Sequence, residues 1–298
     1  MRLGLGTVQF GMDYGISNTT GQTTIAEVGA ILDLAWSGGV RDLDTASLYD
    51  EAESVLGHFV GTLATPRIVT KTPQLDKASS AQEARDIMRE GLALSCRRLG
   101  VNAVYGLLAH RAQDLLGPFG PMLIEEMKKF KQQGLITRYG ASVYNAAEIE
   151  GLLETYDQDA FGEQGLVQVP LNVFDQRLVT GGQIAQLRER GIEVHARSLF
   201  LQGVLLMSPD DVPDFFAPLQ QHFLNYHAVV NDLGVTPLAA ALAFARDAAN
   251  VDVGIVGVNT AAHLRDILEA WETDVPLDFS PFAVHDEAFL NPSLWRLN

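Results

Sequence analysis

The 298-residue sequence contains one cysteine, Cys96, so no disulfide can form within the chain. Zinc clusters built on thiolates and Fe–S centres need several cysteines, and both are excluded for the same reason. Basic residues are also few, because 21 Lys and Arg stand against 37 Asp and Glu and leave a net charge of −16. A protein that binds the phosphate backbone needs a basic face, so this balance argues against a nucleic-acid partner.

Long hydrophobic runs are missing too. The most apolar windows, Thr236–Ala245 and Val253–Val258, are far shorter than the roughly 18 residues that a membrane span needs. The Gly-rich N-terminus does not have the features of a targeting segment. We therefore expect no membrane partner and a cytoplasmic protein. No Pro/Ser/Gly-rich linker divides the chain, which favours a single domain over residues 1–298.

Short apolar runs rich in β-branched residues alternate with longer segments of helical period. The predicted strands are Leu3–Thr7, Val40–Asp44, Arg67–Lys71, Ala103–His110, Ile136–Ser142, Leu166–Leu171, Ile192–Arg197 and Val253–Gly257. The predicted helices are Thr24–Trp36, Glu53–Val60, Ser79–Leu99, Pro121–Gln133, Ala146–Thr155, Gln183–Arg190, Pro237–Ala249 and Ala261–Glu272. Eight such pairs predict an α/β fold of the (β/α)8 TIM-barrel type. A doubly wound sheet with a second domain is the alternative, disfavoured because no G-x-G-x-x-G motif opens a helix after a strand.

One insertion, Leu199–Thr236, and the tail Thr273–Asn298 interrupt this alternation. Long connections of this kind are usually functional or separately folded. We expect substrate specificity to depend on them and on the loop Arg111–Pro121. Candidate aromatic residues for an apolar wall of the binding pocket are Phe119, Phe215, Phe216, Tyr226 and Trp295, with their orientation left open by the sequence.

Polar residues follow three neighbouring strands at the end where TIM barrels place their active sites. Asp44, Lys71 and His110 end the second, third and fourth predicted strands, and Tyr49 follows Asp44 closely. Taken singly, they have structural explanations: a helix cap for Asp44, a rim position for Tyr49, a snorkelling stem for Lys71 and a core site for His110. Together they favour an active site, because burying Lys71 or Asp44 is costly unless they pair.

The four side chains can act together as a proton donor. The phenol of Tyr49 has an ordinary pKa near 10, and the ammonium of Lys71 would lower that pKa. Asp44 would hold Lys71 charged and oriented, and His110 would hydrogen-bond a substrate oxygen. This is the acid half of a carbonyl reduction. The hydride cannot come from a side chain and requires a nicotinamide or a flavin.

Several motifs resemble the aldo-keto reductase family. They are Leu43-Asp44-Thr45-Ala46-Ser47-Leu48-Tyr49 followed by Glu53 and Leu56-Gly57, Gly4-Leu5-Gly6-Thr7, Thr70-Lys71, and Leu107-Leu108-Ala109-His110. The resemblance implies a (β/α)8 barrel that binds NADP(H) without a Rossmann domain, with Asp44, Tyr49, Lys71 and His110 as catalytic residues. It also implies that the family's N-terminal hairpin is missing or reduced, because the first strand begins at once.

The same resemblance implies a set of cofactor-binding residues. Gly6 and Thr7 would lie on the nicotinamide side, and Ser142 and Gln168 would hold the carboxamide. The remaining positions are Asp44, then Ser198, Leu199 and Gln202 along the pyrophosphate, and Gly257, Asn259, Thr260, His263 and Asp266 at the adenosine end. A helix N-terminus suits an anion there. No metal site is expected, since the other histidines lack metal-ligand spacing.

Some positions depart from the family pattern. Asp50 stands where the family usually has Gly, and Ile267 where many members have Asn at the adenine. His263 occupies the place of a basic residue that binds the 2′-phosphate in members favouring NADP(H), and the direction of Arg265 is open. NADP(H) is therefore the first expectation, and NAD(H) remains possible.

The sequence thus predicts an NADP(H)-dependent oxidoreductase that reduces an aldehyde, ketone or sugar carbonyl, or oxidises the alcohol, with Tyr49 as general acid. An NAD(H)-preferring sugar or alcohol dehydrogenase is the first alternative. A non-catalytic nicotinamide-binding regulatory protein and a Schiff-base aldolase using Lys71 are the others. The partner is a small molecule in every case, and the oligomeric state stays open.

Overall fold

Eight parallel strands form a closed barrel in which each strand pairs with the next and the eighth pairs with the first. This computed structural model describes residues 1–76, 78–248 and 250–295. The strands are β1 (Arg2–Gly6), β2 (Asp42–Asp44), β3 (Arg67–Lys71), β4 (Val104–Ala109), β5 (Ile136–Ser142), β6 (Gly165–Pro170), β7 (Glu193–Arg197) and β8 (Val253–Gly257). The TIM-barrel prediction is confirmed, and the doubly wound alternative is wrong.

A helix follows each strand and covers the barrel from outside. The eight covering helices are Ile25–Ser37, Ala52–Val60, Ala81–Leu99, Gly120–Gln132, Ala146–Thr155, Gln183–Glu189, Pro237–Ala248 and Ala261–Ala270. Their bounds agree closely with the sequence prediction, although residue 249 of the seventh lies outside the described residues. Short helices that the periodicity did not predict are Val8–Gly11, Ala112–Leu116, Gln158–Phe161 and Arg177–Thr180.

The helix Ala81–Leu99 illustrates how local signals set these bounds. The Ser80 hydroxyl accepts a hydrogen bond from the backbone N–H of Glu83 at 3.2 Å. The Glu83 carboxylate in turn accepts from the backbone N–H of Ser79 at 2.7 Å. These contacts satisfy N–H groups that have no partner inside the helix. Gly100, at φ 67°, adopts the left-handed conformation that ends it.

The insertion and the tail pack on each other. The insertion contains the 3-10 segments Leu201–Leu206, Pro209–Asp211 and Asp214–Leu219, followed by the helix Gln220–Asp232. Phe216 lies 5.1 Å from Trp295 between ring centroids, and Phe215 lies 5.6 Å from Phe289. The tail segments in this contact, Glu287–Leu290 and Pro292–Leu294, are short. These aromatic residues therefore hold the tail against the barrel.

A charged cluster occupies the N-terminal end of the barrel. The Glu193 carboxylate, on the first residue of β7, accepts a hydrogen bond from the Tyr105 hydroxyl at 2.5 Å and pairs with Arg138 Nε at 2.6 Å. His195 Nε2 lies 3.0 Å from its other oxygen. Burial raises the pKa of Glu193. The bonds from His195 and Tyr105 and the charge of Arg138 outweigh this effect and lower the pKa to about 2.

A second carboxylate continues this cluster on the neighbouring strands. Asp42, the first residue of β2, pairs with Arg67 on β3 and, at 3.4 Å, with Arg2 on β1. Ion pairs between strand starts therefore occupy this end of the barrel.

No helix in the described part of the chain is by itself both long and apolar enough to cross a membrane. One pair of helices, Asp214–Asp232 and Pro237–Asp247, meets the length and composition criteria jointly, with a bend of 93° between them.

Candidate active site

A cavity of about 670 Å³ opens at the C-terminal ends of the strands. Its volume lies in the range of cofactor and small-molecule sites. Every residue that the sequence nominated for catalysis or cofactor binding lines this one cavity. They are Gly6, Thr7, Asp44, Tyr49, Lys71, His110, Ser142, Gln168, Ser198, Leu199, Gln202, Gly257, Asn259, Thr260, His263 and Asp266.

Lys71 and Asp44 form a buried ion pair at the base of the cavity. Lys71 Nζ lies 2.9 Å from Asp44 Oδ1 and 2.8 Å from Oδ2, and it donates a third bond to the Thr45 carbonyl at 3.0 Å. Burial lowers the pKa of Lys71, but the Asp44 carboxylate and Tyr49 outweigh it and leave that pKa above its ordinary value. The ammonium is therefore fixed, charged and fully bonded.

Gln168 reaches the same carboxylate from the opposite side of the barrel. Its Nε2 donates to Asp44 Oδ1 at 2.7 Å, so the amide nitrogen is already engaged. The Oε1 atom is the part of this side chain left to accept a hydrogen bond from a ligand in the cavity.

Tyr49 stands above the ion pair. Lys71 Nζ lies 5.1 Å from the centroid of the Tyr49 ring, and the His110 ring meets that ring edge to face at 6.0 Å. Burial raises the pKa of Tyr49, and this effect exceeds the lowering by the Lys71 ammonium. The sequence predicted that Lys71 would lower the pKa of Tyr49. In the structure, the burial of the phenol raises this pKa instead. The phenol consequently holds its proton at neutral pH.

His110 lies beside Tyr49 just after β4. Burial, reinforced by the positive charge of Lys71, lowers the pKa of His110 from 6.5 to about 4. The imidazole is therefore neutral at pH 7. Its Nδ1 is buried and has no hydrogen-bond partner within the described ranges, which leaves one ring nitrogen with an unmet polar contact beside the cavity.

The segment after β7 has an unusual backbone. Ser198, Leu201 and Gln202 have φ values of 61°, 49° and 55°, and Gly203 follows at 91°. The backbone N–H groups of Leu201 and Gly203 donate to the carbonyls of Ser198 at 2.9 Å and Phe200 at 2.8 Å, so the segment forms a tight turn held by its own backbone. A Cβ atom on Gly203 would lie 1.9 Å from Ser17 Oγ, so the loop after β1 comes very close to this segment.

The far end of the cavity lies at the start of the helix Ala261–Ala270. Thr260 caps this helix by accepting from the backbone N–H of His263 at 3.1 Å. The Glu27 carboxylate accepts from the backbone N–H of Ala261 at 2.5 Å. Glu27 does not line the cavity, whereas the Asp266 carboxylate, one turn further along the helix, does. This end is therefore acidic.

Some lining residues were missed by the sequence reasoning. The loop after β1 contributes Tyr14, Gly15, Ser17, Asn18, Thr19 and Thr20, and the later strand ends contribute Tyr144 and Arg197. Arg197 is the last residue of β7, so the strand-end rule that selected Lys71 also points to it. The loop after β1 carries no comparable signal.

The predicted apolar wall is wrong. Phe216 and Tyr226 are fully buried in the core. The five predicted aromatic residues do not occur among the described residues that line the cavity, and neither does any residue of the tail. Aromatic side chains of the insertion pack against the tail instead, as Phe216 does against Trp295 and Tyr226 against Phe282.

The cavity suits a nicotinamide dinucleotide. Its lining includes Tyr49 and His110, which follow β2 and β4, and Asp266 in the helix after β8. The Gln168 Oε1 atom and the hydroxyl of Ser142 belong to lining residues and are groups that can hydrogen-bond an amide. Within the described ranges, no group of His, Cys, Asp and Glu residues is placed to hold a metal ion.

The sequence profile of the Aldo/keto reductase family matches residues 2–288. The chain belongs to the aldo-keto reductase family. This aldo-keto reductase is therefore an oxidoreductase that uses NAD(P)H and acts on a small-molecule carbonyl or alcohol, as the family does. No curated protein matches the chain significantly.

Solved structures share the fold of this aldo-keto reductase at low identity. An aldo-keto reductase from Pseudomonas aeruginosa is 23% identical, with 90% of this chain and 88% of that chain covered and a TM-score of 0.63. A glycerol dehydrogenase from Gluconobacter oxydans is 18% identical, with 92% and 87% covered and a TM-score of 0.69. The holo form of an aldo-keto reductase from Bacillus halodurans is 18% identical, with 95% and 92% covered and a TM-score of 0.68.

Proposed function

We propose that the protein interconverts an aldehyde, ketone or sugar carbonyl and the corresponding alcohol, with Tyr49 as the general acid in reduction. The contact that carries this proposal is the buried Lys71–Asp44 pair beneath Tyr49. It holds a positive charge next to the one phenol that also faces His110 in the cavity. A phenol so placed can give up its proton to an oxygen and stay stabilised as a phenolate.

Each side chain then has a defined part. A bound nicotinamide supplies or accepts the hydride. Tyr49 holds the proton on its hydroxyl and releases it to the carbonyl oxygen, while the charge of Lys71 stabilises the phenolate that forms. Neutral His110 hydrogen-bonds the same oxygen and orients it. Asp44 keeps Lys71 charged and in place, and the roles run in reverse for oxidation.

The residues that would hold the cofactor follow the strand order. Ser142 and the Oε1 atom of Gln168 would bind the carboxamide, with Gly6 and Thr7 beside the ring. The segment containing Ser198, Leu199 and Gln202 would bind the pyrophosphate. The adenosine would lie near Gly257, Asn259, Thr260, His263 and Asp266.

We also propose that the protein prefers NAD(H) to NADP(H). The sequence favoured NADP(H) and kept NAD(H) as an alternative. Among the described residues that line the far end, none is Lys or Arg, and Arg265 does not line the cavity. The Glu27 carboxylate already takes the N–H of Ala261, and Asp266 adds a second negative charge. A 2′-phosphate placed there would be repelled by these charges, whereas a ribose hydroxyl could donate to the Asp266 carboxylate.

The Tyr49→Phe variant tests the catalytic proposal. Turnover on a panel of aldehydes, ketones and sugars should fall by several orders of magnitude, while the Kd for NADH, read from nicotinamide fluorescence, stays within about twofold. Tyr139→Phe is the matched control, because it removes a buried hydroxyl bonded to the Ala160 carbonyl, outside the cavity. Near-normal turnover by Tyr49→Phe would overturn the assignment.

Equilibrium binding of NADH and NADPH, measured side by side, tests the cofactor proposal. We expect NADH to bind at least about tenfold more tightly, a difference of about 1.4 kcal/mol. Tighter binding of NADPH would return the assignment to the first expectation from the sequence. Failure of both to bind would reject the oxidoreductase proposal.

The contacts of Lys71 weigh against the aldolase alternative. A Schiff base forms only on a neutral amine. Here Asp44 and Thr45 accept hydrogen bonds from the Lys71 ammonium and favour its charged form. Tight cofactor binding without turnover on the panel would instead support the regulatory alternative.

A further inference from the structure

Arg197 ends β7 and is half-buried at the catalytic end of the cavity. Its guanidinium is held on three sides. Nε donates to Ser142 Oγ at 3.3 Å, one terminal nitrogen to Ser198 Oγ at 3.3 Å, and the other to the Val143 carbonyl at 2.9 Å. The Tyr144 ring lies against its face, 4.3 Å from Cζ to the ring centroid. The side chain is thus fixed in position before any ligand binds.

The partners of this guanidinium within the described ranges are all uncharged. Guanidinium has five N–H donors in a fixed fork, and three of them are used, so one N–H on each terminal nitrogen is left. Most other arginines with contacts in this structure pair with a carboxylate, as Arg138 does with Glu193 and Arg188 with Asp252. A half-buried cation without such a partner is costly unless a ligand supplies the anion.

The charges around Arg197 make this end of the cavity positive. Asp44 neutralises Lys71 through two short contacts. The other lining carboxylate, Asp266, belongs to the helix at the opposite end. Among the described residues, Arg197 is therefore a positive charge without a paired carboxylate, at the end of the cavity where Tyr49 and His110 also lie.

We propose that Arg197 binds an anionic group of the substrate, a carboxylate or a phosphate, while Tyr49 and His110 contact its carbonyl oxygen. The substrate class is then an acidic carbonyl compound and its hydroxy counterpart. The two free N–H groups of Arg197 are placed for a bidentate contact with such a group. This inference rests on the proposed function and adds the chemical class of the substrate to it.

Matched substrate pairs test the inference. Succinic semialdehyde differs from butanal by a carboxylate, and glyceraldehyde 3-phosphate differs from glyceraldehyde by a phosphate. For one of these pairs, we expect kcat/KM of the wild type to favour the acidic member by about 100-fold. Arg197→Gln should reduce kcat/KM for the acidic member at least tenfold and leave that for the neutral member within about threefold. Arg197→Lys should recover part of the difference.

Arg97→Gln is the control for net charge. It makes the same charge change at an exposed position of the helix Ala81–Leu99, remote from the cavity, and it should leave both members of each pair unchanged. Equal kcat/KM for acidic and neutral members in the wild type, or equal losses in Arg197→Gln, would overturn the inference.

Equilibrium binding provides a readout that does not depend on turnover. Calorimetric titration of succinate and of inorganic phosphate into the protein saturated with NADH should give a Kd that rises at least tenfold in Arg197→Gln for one of the two. The Kd values for NADH and NAD+ should stay within about twofold. If Arg197→Gln weakens both cofactors equally, the anion is the cofactor's pyrophosphate and the inference is wrong.

A further outcome of the binding measurements would also overturn the inference that Arg197 binds the substrate. If Arg197→Gln strengthens NAD+ binding alone, the guanidinium lies against the nicotinamide ring, where it repels the oxidised form. Turnover of neutral and acidic members alike by the wild type would reject this inference and leave the proposed function standing. Absence of cofactor binding and of all turnover would reject both.

Discussion

The Lys71 ammonium lies within 2.9 Å of both carboxylate oxygens of Asp44, in a site where the lysine side chain is 1% exposed. Because the lysine is buried, each residue depends on the other to stabilise its charged form. Gln168 and the Thr45 carbonyl complete the hydrogen bonds of this pair. The pair is thus both a structural element of the barrel and the support beneath Tyr49.

Removing one member of this pair should cost more than removing both. Asp44→Asn leaves Lys71 buried without a counter-charge, and we expect the free energy of unfolding to fall by about 3–5 kcal/mol. Lys71→Met should leave Asp44 in the same situation. The double variant should lose clearly less than the sum of the single losses, measured by urea unfolding at pH 7. Additive losses would mean that the two charges act independently.

Glu193 should make stability depend on pH in the acid range. Its pKa in the folded protein is about 2, below the ordinary value of 4.5. The stabilisation is therefore fully present above about pH 4.5 and is lost as the pH falls toward 2. Glu193→Gln should lower stability at pH 7 by about 2–3 kcal/mol and flatten the acid limb of the profile. Glu90→Gln, at an exposed position, should change neither quantity.

His110 should titrate near pH 4 in the folded protein. Its pKa lies below the ordinary value of 6.5, so the unfolded chain binds this proton more readily, and stability falls as the pH drops from 6.5 toward 4. An NMR titration of the seven histidines should show one imidazole with this behaviour, and His110→Gln should remove that signal. A His110 signal that titrates near 6.5 would contradict the buried, neutral imidazole.

Two substitutions near the start of the helix Ala261–Ala270 should shift the cofactor preference toward NADPH. Glu27→Gln combined with His263→Arg removes a negative charge near the start of the helix Ala261–Ala270 and adds a cation that lines the cavity. We expect the Kd for NADPH to fall at least about tenfold, with that for NADH changed less. Glu269→Gln on the exposed side of the same helix is the control. An unchanged ratio of the two Kd values would show that the charges at positions 27 and 263 do not set the preference.

Gly203 should be required for the close approach of two loops. Gly203→Ala places a Cβ 1.9 Å from Ser17 Oγ at φ 91°. Gly39→Ala is the matched control, since Gly39 has φ 82° but no atom within 4 Å of the added Cβ. Both should lose about 1–2 kcal/mol from the backbone conformation. The Gly203 variant should lose at least about 1 kcal/mol more and bind NADH more weakly. Equal decreases in the melting temperature of the two variants would contradict the close approach of Gly203 and Ser17.

The barrel was predictable because its signals are local. Strands buried on both faces read as short apolar runs, and the helices carry a 3.6-residue period with caps such as Ser80 and Gly100. In a parallel barrel the strand ends share one face, so the nearness of Asp44, Lys71 and His110 also followed from their positions. The structure of the insertion was harder to predict, because its 3-10 segments do not show the 3.6-residue period of an α-helix.

What the sequence determined by itself is the barrel, the family and the residues that meet in the cavity, since these depend on periodicity and on position along each strand. Only the tertiary structure decided how those residues are charged and paired. The raised pKa of Tyr49, the bond from Ala261 to Glu27 and the uncharged partners that surround Arg197 in the described part of the chain arise from burial and from contacts set by the packing. Such contacts depend on how the packed elements meet, and no local pattern in the chain encodes them.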